Sequence, residues 1–220
     1  MSGWWVADLW QENPAFLIGH VVVVVMAIVL HELAHGFAAQ CVGDDTPVTT
    51  GHMTLNPIVH MGGFGLLLFA LTGYAFGAMP VSPWRFRGRY ADAFVAFAGP
   101  AMNLVLALLF ALGLTLWSRF ALGNVHEPLY GNVEYFLNVG TILNFVLLIL
   151  NLLPIPPLDG ATVLGNFVRP FRAIAENPSN RMIFNILLLL VLVRGSSMIQ
   201  DAGFEVGVRV VGFFHSLLPG

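Results

Sequence analysis

Apolar runs of membrane-spanning length alternate with short polar connectors along this chain. The first run extends from about Ala15 to Cys41 and includes ten uncharged residues in succession, Val21 to Leu30. At 1.5 Å per residue, a helix of that length crosses a hydrocarbon core of about 30 Å with tilt to spare. Further runs occupy about Ala91 to Trp117, about Val133 to Leu153 and, shorter, about Met182 to Val193. Between the runs at Ala15 and Ala91 lies Gly62 to Met79, broken by Gly62, Gly63, Gly65, Gly73 and Gly77, which either spans once or dips in and returns. The connector before it sets β-branched Val48, Thr49 and Thr50 between turn residues and predicts a short extended or hairpin segment. The tail from Gly195 mixes Asp201, Glu205 and Arg209 with apolar residues, as an interfacial amphipathic helix or an incomplete span does. The expected fold is an all-α integral membrane protein of about five transmembrane helices, with a short β or re-entrant segment between the first and second full spans.

Composition sharpens this picture. Hydrophobic residues make up 57% of the 220 residues and charged residues 10%, against about 25% charged in a soluble domain; the mean hydropathy is +0.80. A lipid bilayer is the expected surrounding. All nine basic residues are Arg, and a scattered net charge of -3 gives no footprint for nucleic acid or for an acidic partner. A single Cys41 rules out an internal disulfide. Residues 1–14 carry Asp8 and Glu12 but no basic residue, so the first apolar segment is expected to stay in the mature protein instead of leaving as a signal peptide.

The candidate chemistry sits in the second half of the first run, at His31-Glu32-Leu33-Ala34-His35. On a helix His31 and His35 project from one face a turn apart, so two imidazoles can take two corners of a tetrahedral metal site. In H-E-x-x-H sites the intervening carboxylate, here Glu32, takes a proton from the attacking water. A His pair in a helix also serves as a plain structural pair. The apolar setting favours function, because ionisable groups inside a bilayer are costly.

A catalytic zinc takes three protein ligands, and the candidate for the third is Asp159, in Asn151-Leu152-Leu153-Pro154-Ile155-Pro156-Pro157-Leu158-Asp159-Gly160. The prolines also read as a helix stop, with Asp159-Gly160 as a turn. The two readings are compatible, since unwound backbone at membrane depth implies an internal cavity. If Asp159 joins His31 and His35, the ends of the first and fourth apolar runs face the same side, and Gly62 to Met79 must re-enter or form a hairpin. That parity also puts the Arg85-Arg87-Arg89 loop and the loop with Arg169, Arg172 and Arg181 on the metal's side. The positive-inside rule makes this side cytoplasmic.

With these residues in view, the chain resembles the site-2 protease family of intramembrane zinc metalloproteases, peptidase family M50, in its short form without PDZ or CBS domain. Three stretches carry the resemblance, in the family's order: His31 to His35, then Ala98-Gly99-Pro100-Ala101-Met102-Asn103, then Asn151 to Gly160. It covers roughly Val21 to Val168. Thr54-Leu55-Asn56-Pro57-Ile58-Val59-His60 also looks like the short members, although this chain continues Met61-Gly62-Gly63 where they have x-Asp-Pro. The resemblance implies one Zn2+ per chain held by His31, His35 and Asp159, Glu32 as the catalytic residue, and Asn151, Pro154 and Pro156 in holding an unwound substrate. It implies hydrolysis of peptide bonds within or near transmembrane helices, in regulated intramembrane proteolysis.

The expected domain plan is one membrane-embedded metalloprotease domain over 1–220, with a catalytic core at about 15–168 and C-terminal helices at about 181–218. The expected partner is a transmembrane protein substrate, with oligomeric state left open. The expected location is the inner membrane of a prokaryotic cell, with the active site toward the cytoplasm. Edge pairing by Val48 to Thr50, or by a strand within Met79 to Trp84, would hold the unwound peptide. Asn144, two turns before Asn151, extends a polar stripe toward the cavity, and Gly99-Pro100 serves close packing with Asn103 bonding across helices. His20 reads as structural or cavity-lining, His52 and His60 as interfacial loop residues or as residues that steer water, and His126 and His215 as solvated. A non-enzymatic zinc carrier or scaffold is the alternative from another class; it has no need of Glu32. A second is a membrane H-E-x-x-H protease that trims prenylated proteins, which leaves the Asn151 to Gly160 stretch unexplained.

Overall fold

The computed structural model describes residues 4–218, which fold into ten α-helices with no strand among them. In chain order these are α1 (Trp5–Glu12), α2 (Pro14–Cys41), α3 (Thr46–Thr49), α4 (Pro57–Thr72), α5 (Ala91–Phe120), α6 (Leu129–Asn151), α7 (Asp159–Phe167), α8 (Arg169–Ala175), α9 (Arg181–Arg194) and α10 (Ser196–Leu217). α2, α5 and α6 are long and apolar enough to cross a membrane, and α9 with α10, bent by 61°, make a fourth if taken as one broken span. About five were expected. α4, with 16 residues, falls short of that length, and the chain after it turns back.

Asn13 caps α2 by accepting the Ala15 amide, and Pro14 fills the first turn, where no N–H is needed. The valine run then stays helical, because in lipid a helix satisfies every backbone group within one segment. α5 runs antiparallel to α2, with His31 opposite Asn103 and His35 opposite Val95. α6 reverses again: Asn103 meets Asn144, Phe110 packs on Gly140, and Trp117 donates to the Tyr130 carbonyl. α6 is therefore parallel to α2, as the Asn13–Asn132 bond and the Phe16–Tyr135 stack show at their starts. The ends of both helices reach the same side, as a shared metal requires. α10 covers α6, with Gly203 on Val146 and Gly207 on Thr141. Large apolar side chains face outward, Phe64 at 78% exposure and Leu109 at 60%, which suits a surface solvated by lipid.

The glycine-broken run forms a hairpin. Asn56 caps α4 through the Ile58 amide, and the helix kinks at Gly62, whose φ of 64° favours glycine. It then climbs to Gly73, φ 79°, which turns against Trp5 near the start of α2. Residues 74–82 return with neither helix nor strand to Ser82, whose amide donates to Asp44 just past the end of α2, 2.6 Å. The chain leaves and rejoins the same end of α2, which meets the parity requirement without a net crossing.

Two local expectations are corrected. Val48 to Thr50 is not extended: Thr46–Thr49 forms a one-turn helix, because Pro47 sets its first turn and Asp44 accepts the Thr46 amide ahead of it. His60 is not an interfacial loop residue. It is buried in the first turn of α4, with Nε2 2.6 Å from the Thr54 carbonyl, while His52 does lie in the connector beside Thr50.

Asp44 ties this end together. It has no exposed surface, under a thin layer of the connector, and accepts from the Thr46 amide and hydroxyl and from the Ser82 amide. Burial pushes its carboxyl up, but these bonds and nearby Arg85 outweigh burial and hold it below the usual carboxylate range. A group depressed in the folded state stabilises it above the unfolded pKa of about 4, and the contribution fades as pH falls through the lower folded value. Replacing Asp44 by Ala is expected to cost about 2–3 kcal/mol near neutral pH, and the gap from wild type should narrow below about pH 4. Thermal unfolding in detergent across pH checks both.

Candidate metal centre

His31 and His35 are buried on one face of α2, and Asp159 opens α7 beside them. Asp159 gets there because the chain doubles back after α6: the proline-rich turn ends with Gly160 against the Leu152 carbonyl, where a Cβ would collide. One ligand atom from each of the three lies within 4.8 Å of the others. His31 Nε2 is 3.0 Å from His35 Nε2 and 3.2 Å from Asp159 Oδ2, and His35 Nε2 is 3.4 Å from Asp159 Oδ1.

The hydrogen bonds behind the cluster assign its protons. Asn144 Nδ2 donates to the Gly140 carbonyl at 2.8 Å, which turns Asn144 Oδ1 toward Asn103 Nδ2 at 3.0 Å. Asn103 Oδ1 is thereby the acceptor facing His31 Nδ1 at 2.6 Å, and the Val95 carbonyl faces His35 Nδ1 at 2.7 Å. Both imidazoles then carry the proton on Nδ1 and aim an Nε2 lone pair at the other and at the carboxylate. Asp159 Oδ2 is buried with no hydrogen-bond partner. Converging lone pairs beside a buried carboxylate repel unless a cation lies among them, so the donor set fits a metal such as zinc.

Gly99 lies directly over this cluster. A Cβ there would press on the Nε2 atoms of His35 and His31, so the close packing expected at Gly99-Pro100 is packing onto the imidazoles. Asn103 does bond across helices, and its partners are His31 and Asn144. Asn144, read as part of a stripe toward the cavity, is instead fully buried behind Asn103. Outer-shell partners of this kind are worth 10- to 100-fold in metal affinity. Asn103→Ala should weaken zinc binding by about that factor, as read by competition with a chromophoric chelator.

A cleft of about 410 Å³ opens on the cluster, lined by His31, Glu32, His35, Asp159, Asn151 and the return segment at 75–79. Glu32 reaches this cleft and accepts no hydrogen bond from any described residue. Gly77 passes over it so closely that a Cβ there would stand 2.7 Å from Glu32 Oε1. Nothing in the pattern of residues 73–79 marked Gly77 as an active-site position; its spacing among other glycines was the available signal. The Asn151 Nδ2 donates to the Leu147 carbonyl, 3.0 Å. Of the proline-rich turn, Pro157 lines this cleft, Pro156 lines a neighbouring one beside Asp92 and Arg172, and Pro154 is exposed.

A sequence profile described as "Peptidase family M50" matches residues 19–194. The chain belongs to peptidase family M50. Among its relatives, "Putative zinc metalloprotease YwhC" of Bacillus subtilis is 33% identical over 201 residues, covering 86% of this chain and 88% of that protein. "Putative zinc metalloprotease Rip2" of Mycolicibacterium smegmatis is 33% identical over 200 residues, covering 86% and 73%. Its namesake in Mycobacterium tuberculosis is 32% identical over 174 residues, covering 75% of this chain and 64% of that protein. No solved structure matches the chain. This M50 peptidase is thus an integral membrane metalloprotease with Zn2+ as its cofactor, and its relatives are bacterial.

Proposed function

We propose that this single membrane-embedded domain hydrolyses peptide bonds within the membrane segment of a transmembrane protein, in regulated intramembrane proteolysis. Zinc would be held by His31, His35 and Asp159, with Glu32 as the catalytic residue. The observation that carries the reading is the convergence of two Nε2 lone pairs and an orphaned carboxylate oxygen at a buried cleft that Glu32 shares. When bound, zinc acidifies water and polarises a carbonyl oxygen. Glu32 accepts a proton from the water that attacks the scissile carbonyl carbon, and returns it to the amide nitrogen as the C–N bond breaks. Asn103 and Val95 keep the imidazoles in the ligating tautomer throughout.

An unwound substrate needs partners for its backbone. The return segment offers them: among the described residues no hydrogen bond engages the amides of Phe76, Gly77, Met79 or Val81, and these residues line the cleft. It serves as the edge against which the peptide lies extended over Glu32. Asn151, which lines the same cleft, orients the peptide, with the turn that bears Pro154 and Pro156 following it in the chain. The basic loops at Arg85 to Arg89 and at Arg169 to Arg181 lie at the metal end and face the cytoplasm, in the inner membrane of a bacterium.

The test is cleavage of a single-span protein by the full chain reconstituted in liposomes. Zinc removal by a chelator should stop cleavage, and stoichiometric zinc should restore it. Cleavage that persists in the zinc-free protein contradicts the reading, and a protein that binds zinc but cleaves no span with an unstable helix supports a carrier.

A further inference from the structure

A second cavity of about 420 Å³ lies beyond the cleft, toward the start of α2. The two share Ile28 of α2, Ala75 and Phe76 of the return segment, and Leu147 and Leu150 of α6. Along α2 the outer chamber is lined by His20, Val24 and Ile28, and the cleft by Ile28, His31, Glu32 and His35. Steps of three and four residues keep one helix face turned to one channel. The two cavities therefore adjoin along one face of α2, which runs about 16 to 22 Å from His20 to the two ligand histidines. Residues on both sides of the bend between α9 and α10, Leu192 and Ser196 among them, line the outer chamber, and Tyr74 donates to the Leu192 carbonyl at 3.0 Å.

The outer chamber is apolar except for a few side chains. The half-buried His20, Tyr135 and Ser196 and the exposed Gln200 line it, and among the described residues no hydrogen bond engages these side chains. Polar groups facing an apolar space at membrane depth cost free energy unless an occupant satisfies them. A lipid acyl chain offers no partner. A polypeptide lying in the channel, with its bond to be cut at the metal end, does.

Resting on the protease reading, we infer that the outer chamber is a specificity site for the substrate's membrane segment. It selects segments that carry a hydrogen-bonding side chain, such as Asn, Gln, Ser or Thr, about three to four helical turns to the outer side of the scissile bond. His20 of α2 and Gln200 of α10 supply the recognition. Wholly apolar segments enter the same channel and leave these groups unpaired.

The experiment uses the full chain in liposomes and a probe series: a single span of Leu and Ala with one helix-destabilised cleavage position, and one Asn moved stepwise along its outer half. kcat/KM should peak when the Asn lies 11 to 15 residues from the cut bond, about tenfold above the span without Asn, as one buried hydrogen bond predicts. In the His20→Leu, Gln200→Leu double variant the ratio of the two probes should fall to about one. A flat profile in wild type, or a peak that survives in the double variant, overturns the inference while the protease reading stands. Cleavage of no probe by the zinc-loaded wild type overturns the protease reading, and the inference with it. A benzophenone amino acid at Val139, in the Glu32→Gln chain, gives an independent measure. A crosslink to the Asn probe supports the inference, and adducts with lipid alone contradict it.

Discussion

Glu32→Gln is expected to lower kcat/KM for a membrane-segment substrate by about a thousandfold or more, within the range general acid–base groups contribute, with one zinc still bound per chain. The amide matches the carboxylate in size but accepts no proton, so water loses its base and the departing nitrogen its proton donor. Glu32 lies outside the His31, His35, Asp159 cluster, so the metal site keeps its donors. Retained zinc with lost turnover separates catalysis from binding. Equal loss of both would make Glu32 part of the metal site, and unchanged turnover would remove it from the mechanism.

Asp159→Ala should do the opposite and remove the metal. It deletes one of three donors, so zinc affinity should fall by more than the 10- to 100-fold typical of an outer-shell partner. In wild type, zinc binds the folded chain and raises its stability by mass action, about 4 kcal/mol at a thousandfold excess over Kd. The variant should lose most of that response while its zinc-free form unfolds near the wild-type temperature, because an orphaned buried oxygen contributes little by itself. Thermal unfolding with and without zinc reads both, and an undiminished zinc response in Asp159→Ala would assign the third ligand elsewhere.

How far these features are legible in the chain varies with the distance over which they act. His31 and His35 meet because a helix brings i and i+4 together, which needs no knowledge of the rest of the fold. Asp159 lies over a hundred residues away, in a proline-rich stretch that made it the candidate third ligand, and its joining the histidines on one side in turn required that 62–79 return. The hairpin at Gly73 meets that requirement. Val48 to Thr50 misled because β-branching favours extension only weakly, whereas Pro47 and the Asp44 side chain set a helical turn locally. His60 misled because its burial comes from the return segment lying over it, with the Ala78 amide on its carbonyl. The Asn103–Asn144–Gly140 relay and the passage of Gly77 over Glu32 depend on helix registers that periodicity does not set. Only packing reveals them.

The central claim is hydrolysis at a metal centre inside the membrane. Its most direct measurement is the mass of the products released from a single-span substrate by the reconstituted, zinc-loaded chain. The account predicts a cut within the span, on the cytoplasmic side of its centre, opposite the level of His31 and His35, and no products from Glu32→Gln. A cut confined to the flanking soluble segments, or the same products from Glu32→Gln, would contradict it.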